Sequence, residues 1–295
     1  MSHGEESHKR ETGEFGPEAQ IHYREYKLLL KPERFADEEG FHKFYKHVHH
    51  VAKGMGVHLE KSEKHEPHIR EVVFYDTPHF KLYTDGFILR KRTFFKKGHP
   101  EPNFELTIRY RHPEAKAAAA VDMHPLLPCI YTIKFKEEIL QLTDKLAGMR
   151  MLYANGCELD TPNVILTQRF EIISQVFPAL QKVRSANPKA TMGVVNDVTV
   201  DETLVHLGEM DFGGKVKCKA SVAIWRNRLT GRDMIAEFGY QLKFEGLASL
   251  HRKPRELTEE LFKNIQLECA DWVAMGTTKT ALLYGMGRKP VNHHE

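Results

Sequence analysis

The sequence predicts an α+β protein in which helices cover an antiparallel β-sheet. Short runs of alternating polar and apolar residues, each bounded by turn-forming residues, indicate strands in both halves of the chain. Between and after them lie longer runs whose apolar residues recur at helical spacing. With 295 residues, of which 41% are hydrophobic, the chain is long enough to bury a substantial core.

Composition narrows the classes of partner. The 43 basic and 40 acidic residues give a net charge of +3, so any anion site must be local rather than a global basic surface. No apolar stretch approaches the roughly 20 residues of a bilayer span, and the four cysteines include no CxxC pair typical of zinc ribbons. We therefore expect a cytoplasmic protein with no nucleic-acid and no membrane partner.

Strands and helices can be placed in order along the chain. Runs typical of strands cover 21–30, 72–75, 87–95, 104–111, 129–139, 194–207, 215–225 and 234–244. Helical spacing covers 32–54, most of 140–190, and 257–272. The stretch 112–128, rich in Pro and Ala, is expected to be an irregular excursion or a short helical turn.

Two neighbouring strand runs carry cations on one face. In 87–95 the alternation places Arg90 and Arg92 on the same side. In 104–111 it places Arg109 and Arg111 on one face together with Glu105. The recurrence favours a shared function over an ordinary solvated face, which remains the plain alternative.

Charged residues share one face in four further runs. A face with so many cations cannot pack into an apolar core, because unpaired buried ammonium groups cost several kcal/mol or lose their proton. If the sheet closes into a barrel, its interior becomes a positively charged channel suited to a polyphosphate. The residues are Glu25 and Lys27, then Lys134, Lys136 and Glu138, then Lys217 and Lys219, then Glu237 and Lys243.

Three strings also resemble a known family. They are YDTP at 75–78, followed by Leu82, GFILRKR at 86–92, and LTIR at 106–109. In order and spacing they resemble the YYDT, GxxLRxR and LTxK pattern of the CYTH superfamily, the triphosphate tunnel metalloenzymes, with Arg109 in place of the last Lys. The resemblance implies an eight-stranded antiparallel β-barrel with helices packed outside. It implies one domain over 21–287, between a disordered tail at 1–20 and a tail at 288–295.

The resemblance also implies a metal site, with three departures. The ExExK motif of the first strand matches at Glu25 and Lys27, but Tyr23 replaces the first Glu. Lys136 and Gly239 stand where later strands of the family have carboxylates. The ligands for Mg²⁺ or Mn²⁺ would then be Glu25, Glu138 and Glu237, unless a one-residue shift in register brings in Glu137 instead of Glu138. Lys279, near the chain end, would reach the tunnel mouth.

The leading hypothesis is a metal-dependent triphosphatase that binds a triphosphate-containing compound or a polyphosphate. The alternatives are a non-catalytic polyphosphate- or nucleotide-binding protein of the same fold and an adenylyl cyclase. The organic part of the substrate, the metal and the oligomeric state stay open. The catalytic residues would be Glu25, Lys27, Arg90 and Arg92, and the substrate-binding residues Lys27, Arg90, Arg92, Arg109, Arg111, Lys134, Lys136, Lys217, Lys219 and Lys243.

Overall fold

The computed structural model describes residues 21–62, 67–246 and 250–286. The tails predicted at 1–20 and 288–295 lie outside these residues. The strands are β1 (Tyr23–Leu30), β2 (His58–Lys61), β3 (His68–Asp76), β4 (Phe87–Lys96), β5 (His99–His112), β6 (Tyr131–Gln141), β7 (Met149–Asp160), β8 (Gly193–Asp211), β9 (Lys217–Asn227) and β10 (Asp233–Lys243). The α-helices are α1 (Glu38–Gly54), α2 (Lys81–Thr84), α3 (Ala115–Ala119), α4 (Phe170–Val176), α5 (Arg252–Glu268) and α6 (Lys279–Gly285).

The sheet closes on itself into a barrel. Around the ring the order is β8-β3-β4-β5-β7-β6-β1-β10-β9, and β9 pairs back onto β8, so that nine strands complete the barrel. β2 pairs with β8 as an additional strand. β1 and β6 run parallel, whereas the other neighbours are antiparallel. The predicted α+β barrel with helices outside is confirmed. The predicted strand arrangement was wrong, because the barrel has nine strands rather than eight and one neighbouring pair is parallel.

The ninth barrel strand is β7, within a region predicted to be mainly helical. Leu152 fits a helical spacing with apolar residues before it, which explains the error. In the structure β7 instead pairs along most of its length with both β5 and β6. Gly156 lies between these strands, and a Cβ there would come within 3.1 Å of the Ile108 carbonyl oxygen. Tertiary pairing on both sides therefore overrides the local pattern.

Outward-facing side chains of the barrel form the main core. Tyr26 of β1 stacks on Tyr240 of β10 with ring centroids 4.6 Å apart, and Phe262 of α5 lies 5.4 Å from Tyr26. Phe44 of α1 packs edge-on against Phe238 at 5.3 Å. Because aromatic burial outside the barrel provides much of the hydrophobic stabilisation, the inward-facing positions are free to be polar.

A buried ion pair settles the register of β6. Arg24 is 1% exposed, and its Nε lies 2.6 Å from Glu137 Oε2 on the outer face of the barrel. Its second contact, from NH1 to Glu259 Oε1 at 2.7 Å, ties α5 to the barrel. Because successive residues of a strand face opposite sides, Glu138 points inward. In this register Glu138, rather than Glu137, contacts the interior cations Lys27, Arg109 and Arg111.

Asp76 holds the turn between β3 and β4. Its Oδ1 accepts hydrogen bonds from the backbone N–H groups of Thr77 at 2.6 Å and Leu82 at 3.0 Å, and Oδ2 accepts from that of Tyr83 at 2.9 Å. Burial raises the pKa of Asp76 to about 6, although these hydrogen bonds favour its ionised form. The YDTP string is thus a structural device that fixes α2 at the entry to β4.

No helix in the described ranges is long and apolar enough to cross a membrane.

Replacing Asp76 tests this role. Asp76→Ala should lower the free energy of unfolding by about 2 kcal/mol or more, because three buried backbone N–H groups lose their acceptor. Urea-induced unfolding followed by circular dichroism would measure the change. Asp85→Ala, at the other end of α2, is the matched control and should cost less than about 0.5 kcal/mol. Equal losses in the two variants would contradict the assignment.

Candidate functional site

A cavity of about 260 Å³ lies inside the barrel. All nine barrel strands contribute side chains to its wall, because every second residue of a strand faces inward. Nine cationic and four acidic side chains line it, so the wall carries an excess of positive charge. The cations are Lys27, Arg70, Arg90, Arg92, Arg109, Arg111, Lys136, Lys219 and Lys279, and the acids are Glu25, Glu158, Glu202 and Glu237.

Glu138 lies behind this wall and orders three of its cations. The carboxylate is 0% exposed; its Oε1 lies 2.6 Å from Lys27 Nζ and 2.9 Å from Arg109 NH1. Its Oε2 lies 2.9 Å from Arg111 Nε. Burial alone would raise the pKa of Glu138, but Arg111, Lys27 and Arg109 outweigh burial and hold it well below its ordinary value. One buried charge therefore positions three candidate phosphate-binding groups.

Two arginines of β4 share a second carboxylate. Arg92 NH1 donates to Glu105 Oε1 at 3.1 Å, while Arg90 NH2 donates to Thr107 Oγ1 at 3.1 Å and lies 3.7 Å from Glu105. Burial, together with Arg92 and Arg109, holds the pKa of Arg90 well below its ordinary value. The Nε atoms of Arg90 and Arg92 are buried and have no hydrogen-bond acceptor within the described residues. The Arg90 guanidinium is therefore short of negative charge, whereas carboxylates including Glu202 and Glu105 outweigh burial and raise the pKa of Arg92.

The departures at Tyr23 and Lys136 are neighbours in space. Lys136 Nζ lies 5.6 Å from the centre of the Tyr23 ring, 3.5 Å from Glu25 Oε2, and donates to Gln241 Oε1 at 2.9 Å. Lys27 Nζ lies 3.3 Å from the same Glu25 oxygen. Burial would raise the pKa of Glu25, but Lys136 and Lys27 hold it below its ordinary value. A lysine ammonium thus neutralises the one first-strand carboxylate that the chain retains.

A further part of the wall gathers two carboxylates around one lysine. Lys279 Nζ lies 2.9 Å from Glu237 Oε1 and 3.3 Å from Glu202 Oε2. Glu202 also accepts from Trp225 Nε1 at 2.7 Å and pairs with Arg70. The interior acids here are again matched by cations of the chain itself.

The structure brings most of the predicted site residues together. Lys134 does not line the cavity but pairs with Glu158, which does. Lys217 and Lys243 are exposed and lie away from the lining; Lys217 Nζ is 3.4 Å from Asp211. Those that line the cavity are Glu25, Lys27, Arg90, Arg92, Arg109, Arg111, Lys136, Lys219 and Glu237, and Glu138 contacts three of them.

Sequence reasoning missed several residues of the wall, among them Arg70, Glu158, Glu202 and Trp225. Arg70 lies two residues before the start predicted for its strand, and Glu158 lies in the strand mistaken for helix. Glu202 and Trp225 belong to strands that were predicted, but their inward direction was not used. Extending the alternation of β3 by one inward position, from 72 to 70, would have found Arg70.

The acidic residues of the cavity do not fit a divalent metal. In the described part of the chain, no group of three or more His, Cys, Asp or Glu could hold a metal ion. Glu138 is engaged by three cations, Glu25 lies between two lysines, and Glu237 pairs with Lys279. Mg²⁺ and Mn²⁺ need carboxylate oxygens that no other cation occupies. What this wall can do chemically is bind an anion with several charged oxygens.

Comparison with known proteins gives structural neighbours only. Neither protein-family models nor curated proteins match the chain. A candidate adenylyl cyclase from Hippeastrum, described as revealing a dominant triphosphatase activity, matches with 10% identity and a TM-score of 0.45 over 93% of this chain and 100% of that one. A candidate adenylate cyclase from Bacillus halodurans matches with 13% identity and a TM-score of 0.39 over 88% of this chain and 95% of that one. Another, from Vibrio parahaemolyticus, matches with 12% identity and a TM-score of 0.35 over 89% of this chain and 98% of that one. At this level of similarity, function has to be argued from the residues of the chain itself.

Acid should destabilise the fold through its interior carboxylates. The pKa of Glu105 is held at about 2, below the ordinary 4.5, because Arg92 and Arg90 outweigh the effect of burial; the pKa of Glu138 is also lowered. Such groups stabilise the folded state fully above their unfolded pKa, and that contribution is lost as pH falls through the folded pKa. We expect the free energy of unfolding to fall between about pH 5 and pH 2.

Glu138→Gln should separate this contribution from general acid effects. At neutral pH the variant should lose about 3 kcal/mol or more, because three cations lose a buried partner. Its free energy of unfolding should then fall less steeply below about pH 4.5 than that of the wild type. Urea unfolding at each pH measures both quantities, and Glu101→Gln, on the exposed end of β5, is the control. Identical pH slopes in the two variants would contradict the role given to Glu138.

Proposed function

We propose that this chain is a divergent CYTH protein that binds a triphosphate-containing compound or a polyphosphate inside its barrel. One observation carries the proposal. Arg90, Arg92 and Arg109 converge on one part of the wall, where burial and mutual repulsion lower the pKa of Arg90 and two guanidinium Nε atoms lack acceptors. A polyphosphate chain supplies charged oxygens that guanidinium groups bind bidentately, which would relieve this repulsion.

The size of the cavity favours a compact anion. Pockets for drug-sized ligands usually measure about 300 to 1,000 Å³, whereas this cavity measures about 260 Å³. A phosphate chain could occupy it, and a nucleoside attached to that chain would extend beyond it. The base pocket that an adenylyl cyclase needs therefore has no candidate within this cavity, which makes a cyclase the weaker alternative.

Binding is better supported than hydrolysis. A triphosphatase of the kind that the resemblance implies needs a divalent metal to polarise the phosphoryl oxygen. Here the candidate ligands Glu25, Glu138 and Glu237 are each paired with lysine or arginine. Lysine and arginine side chains already supply the positive charge that a metal would bring to the phosphates. We therefore propose a polyphosphate-binding protein in which turnover, if it occurs, is slow.

Tripolyphosphate should raise the melting temperature of the protein in the presence of EDTA. Binding to the folded state alone stabilises it in proportion to the logarithm of ligand concentration over Kd. Differential scanning fluorimetry at millimolar ligand would detect the shift, and ATP and thiamine triphosphate would test the organic part. Phosphate release with Mg²⁺ and with Mn²⁺ would measure turnover. Absence of any shift with all three compounds would overturn the proposed function.

Arg90→Ala should weaken tripolyphosphate binding by about 10- to 100-fold, because one charge-assisted clamp is worth about 1.5 to 3 kcal/mol. Lys91→Ala is the matched control: it removes the adjacent charge on the outer face, where Lys91 Nζ lies 4.4 Å from the centre of the Phe104 ring. Isothermal titration calorimetry of the two variants measures the difference. If both bind like the wild type, the anion does not occupy this part of the wall.

A further inference from the structure

Two interior carboxylates from different strands meet at a single ammonium group. Glu202 comes from β8 and Glu237 from β10, and Lys279 Nζ lies within 3.3 Å of one oxygen of each. The ammonium group also lies 4.7 Å from the centre of the Trp225 ring. The three side chains are 1%, 17% and 14% exposed, respectively for Glu202, Glu237 and Lys279. This is a largely enclosed site that is already filled by a cation.

The two carboxylates of this site are balanced by two cations, Lys279 and Arg70, and only Lys279 contacts both carboxylates. Burial would raise the pKa of Glu202, but Lys279 and Arg70 outweigh burial and hold it below its ordinary value, so the group is ionised. Arg70 pairs with one oxygen of Glu202, while Lys279 shares the other with Trp225. Glu237 contributes a second carboxylate to the same ammonium. Two carboxylates completed by water or phosphate oxygens form a usual ligand set for a divalent cation.

The chain holds Lys279 in place from its C-terminal side. Lys279 is the first residue of α6, whose N-terminus is capped by Thr278 Oγ1 accepting from the Ala281 N–H at 3.0 Å. Tyr284 at the other end stacks on Tyr83 with ring centroids 4.0 Å apart. Asn196 Nδ2 donates to the Leu283 carbonyl at 2.8 Å. Because these contacts tie the C-terminal end of α6 to α2 and β8, the Lys279 ammonium is held at these carboxylates and competes with any ion for them.

We propose that Lys279 is a built-in counter-ion that fills a latent divalent-cation site formed by Glu202 and Glu237. This site shares Glu237 with the predicted metal set of Glu25, Glu138 and Glu237, but its second carboxylate is Glu202 of β8, and it includes no residue of β1. Removing the ammonium leaves Glu202 Oε2 and Glu237 Oε1 without their shared cation, while Arg70 still pairs with Glu202 Oε1, and a divalent cation would take the place of the ammonium. This inference rests on the proposed function. If Lys279 fills the cation site, the wild-type protein binds polyphosphate without added metal.

A Mn²⁺ titration, in which electron paramagnetic resonance measures the free ion, tests the proposal without any phosphate compound. The wild type should bind Mn²⁺ only at millimolar concentrations, whereas Lys279→Met should bind it at least about tenfold more tightly, since a unit charge in contact with both ligands is removed. Adding Glu237→Gln to Lys279→Met should abolish the gain. Lys145→Met, which removes a lysine outside the cavity lining, is the matched control and should bind Mn²⁺ like the wild type.

Two outcomes overturn the proposal. One is a folded Lys279→Met variant, with a circular dichroism spectrum like that of the wild type, that gains no Mn²⁺ affinity. The other, which needs no variant, is tight Mn²⁺ binding by the wild type in the micromolar range. If Mn²⁺ behaves as expected but tripolyphosphate does not bind, the proposed function fails while the assignment of Lys279 stands.

Discussion

The interior of this barrel depends on neutralising buried charge with opposite charge from the chain itself. Glu138 is the centre of this arrangement, because it is fully buried and contacts Lys27, Arg109 and Arg111 at once. A buried carboxylate without partners would be expensive, and three buried cations without a carboxylate would repel each other. The carboxylate therefore lets three positively charged groups stand side by side. What remains is a wall whose cations still outnumber its acids, which is the condition for holding an anion.

The two faces of the sheet have different roles, and the apolar outer face supplies the stability that a charged interior does not. Tyr26, Phe238 and Tyr240 point outward and pack under α1 and α5, so most hydrophobic burial occurs outside the barrel. The alternation of strands then places charged residues inside without interrupting that core. A substitution on the outer face would act on stability through packing, whereas one on the inner face, such as at Glu138, would act on stability and binding through charge balance.

Much of the site could be predicted because alternation in a strand is a local property. The period of two alone groups Arg90 with Arg92 and Arg109 with Arg111, and in the structure these four side chains line the cavity. Lys217 shares a face of β9 with Lys219, but only Lys219 lines the cavity, and Lys217 lies in solvent with its Nζ 3.4 Å from Asp211. Contacts between side chains of different strands could not be predicted from the sequence, because they depend on the order of the strands around the barrel and on their register. The ammonium between Glu202 and Glu237 is such a case, since 77 residues separate Lys279 from the first.

The number of barrel strands has a consequence for how the chain folds. In a closed ring of nine strands the directions cannot alternate all the way round, so at least one neighbouring pair must be parallel. That pair is β1 with β6, and the other neighbour of β1 is β10, where Tyr23 is paired with Lys243. Both pairings of the first strand span long loops, whose closure costs entropy before any contact forms. We expect β1 to pair with the other strands late in folding. Glu25 and Lys27 then join the cavity wall only when the barrel closes, and ligand binding reports that folding is complete.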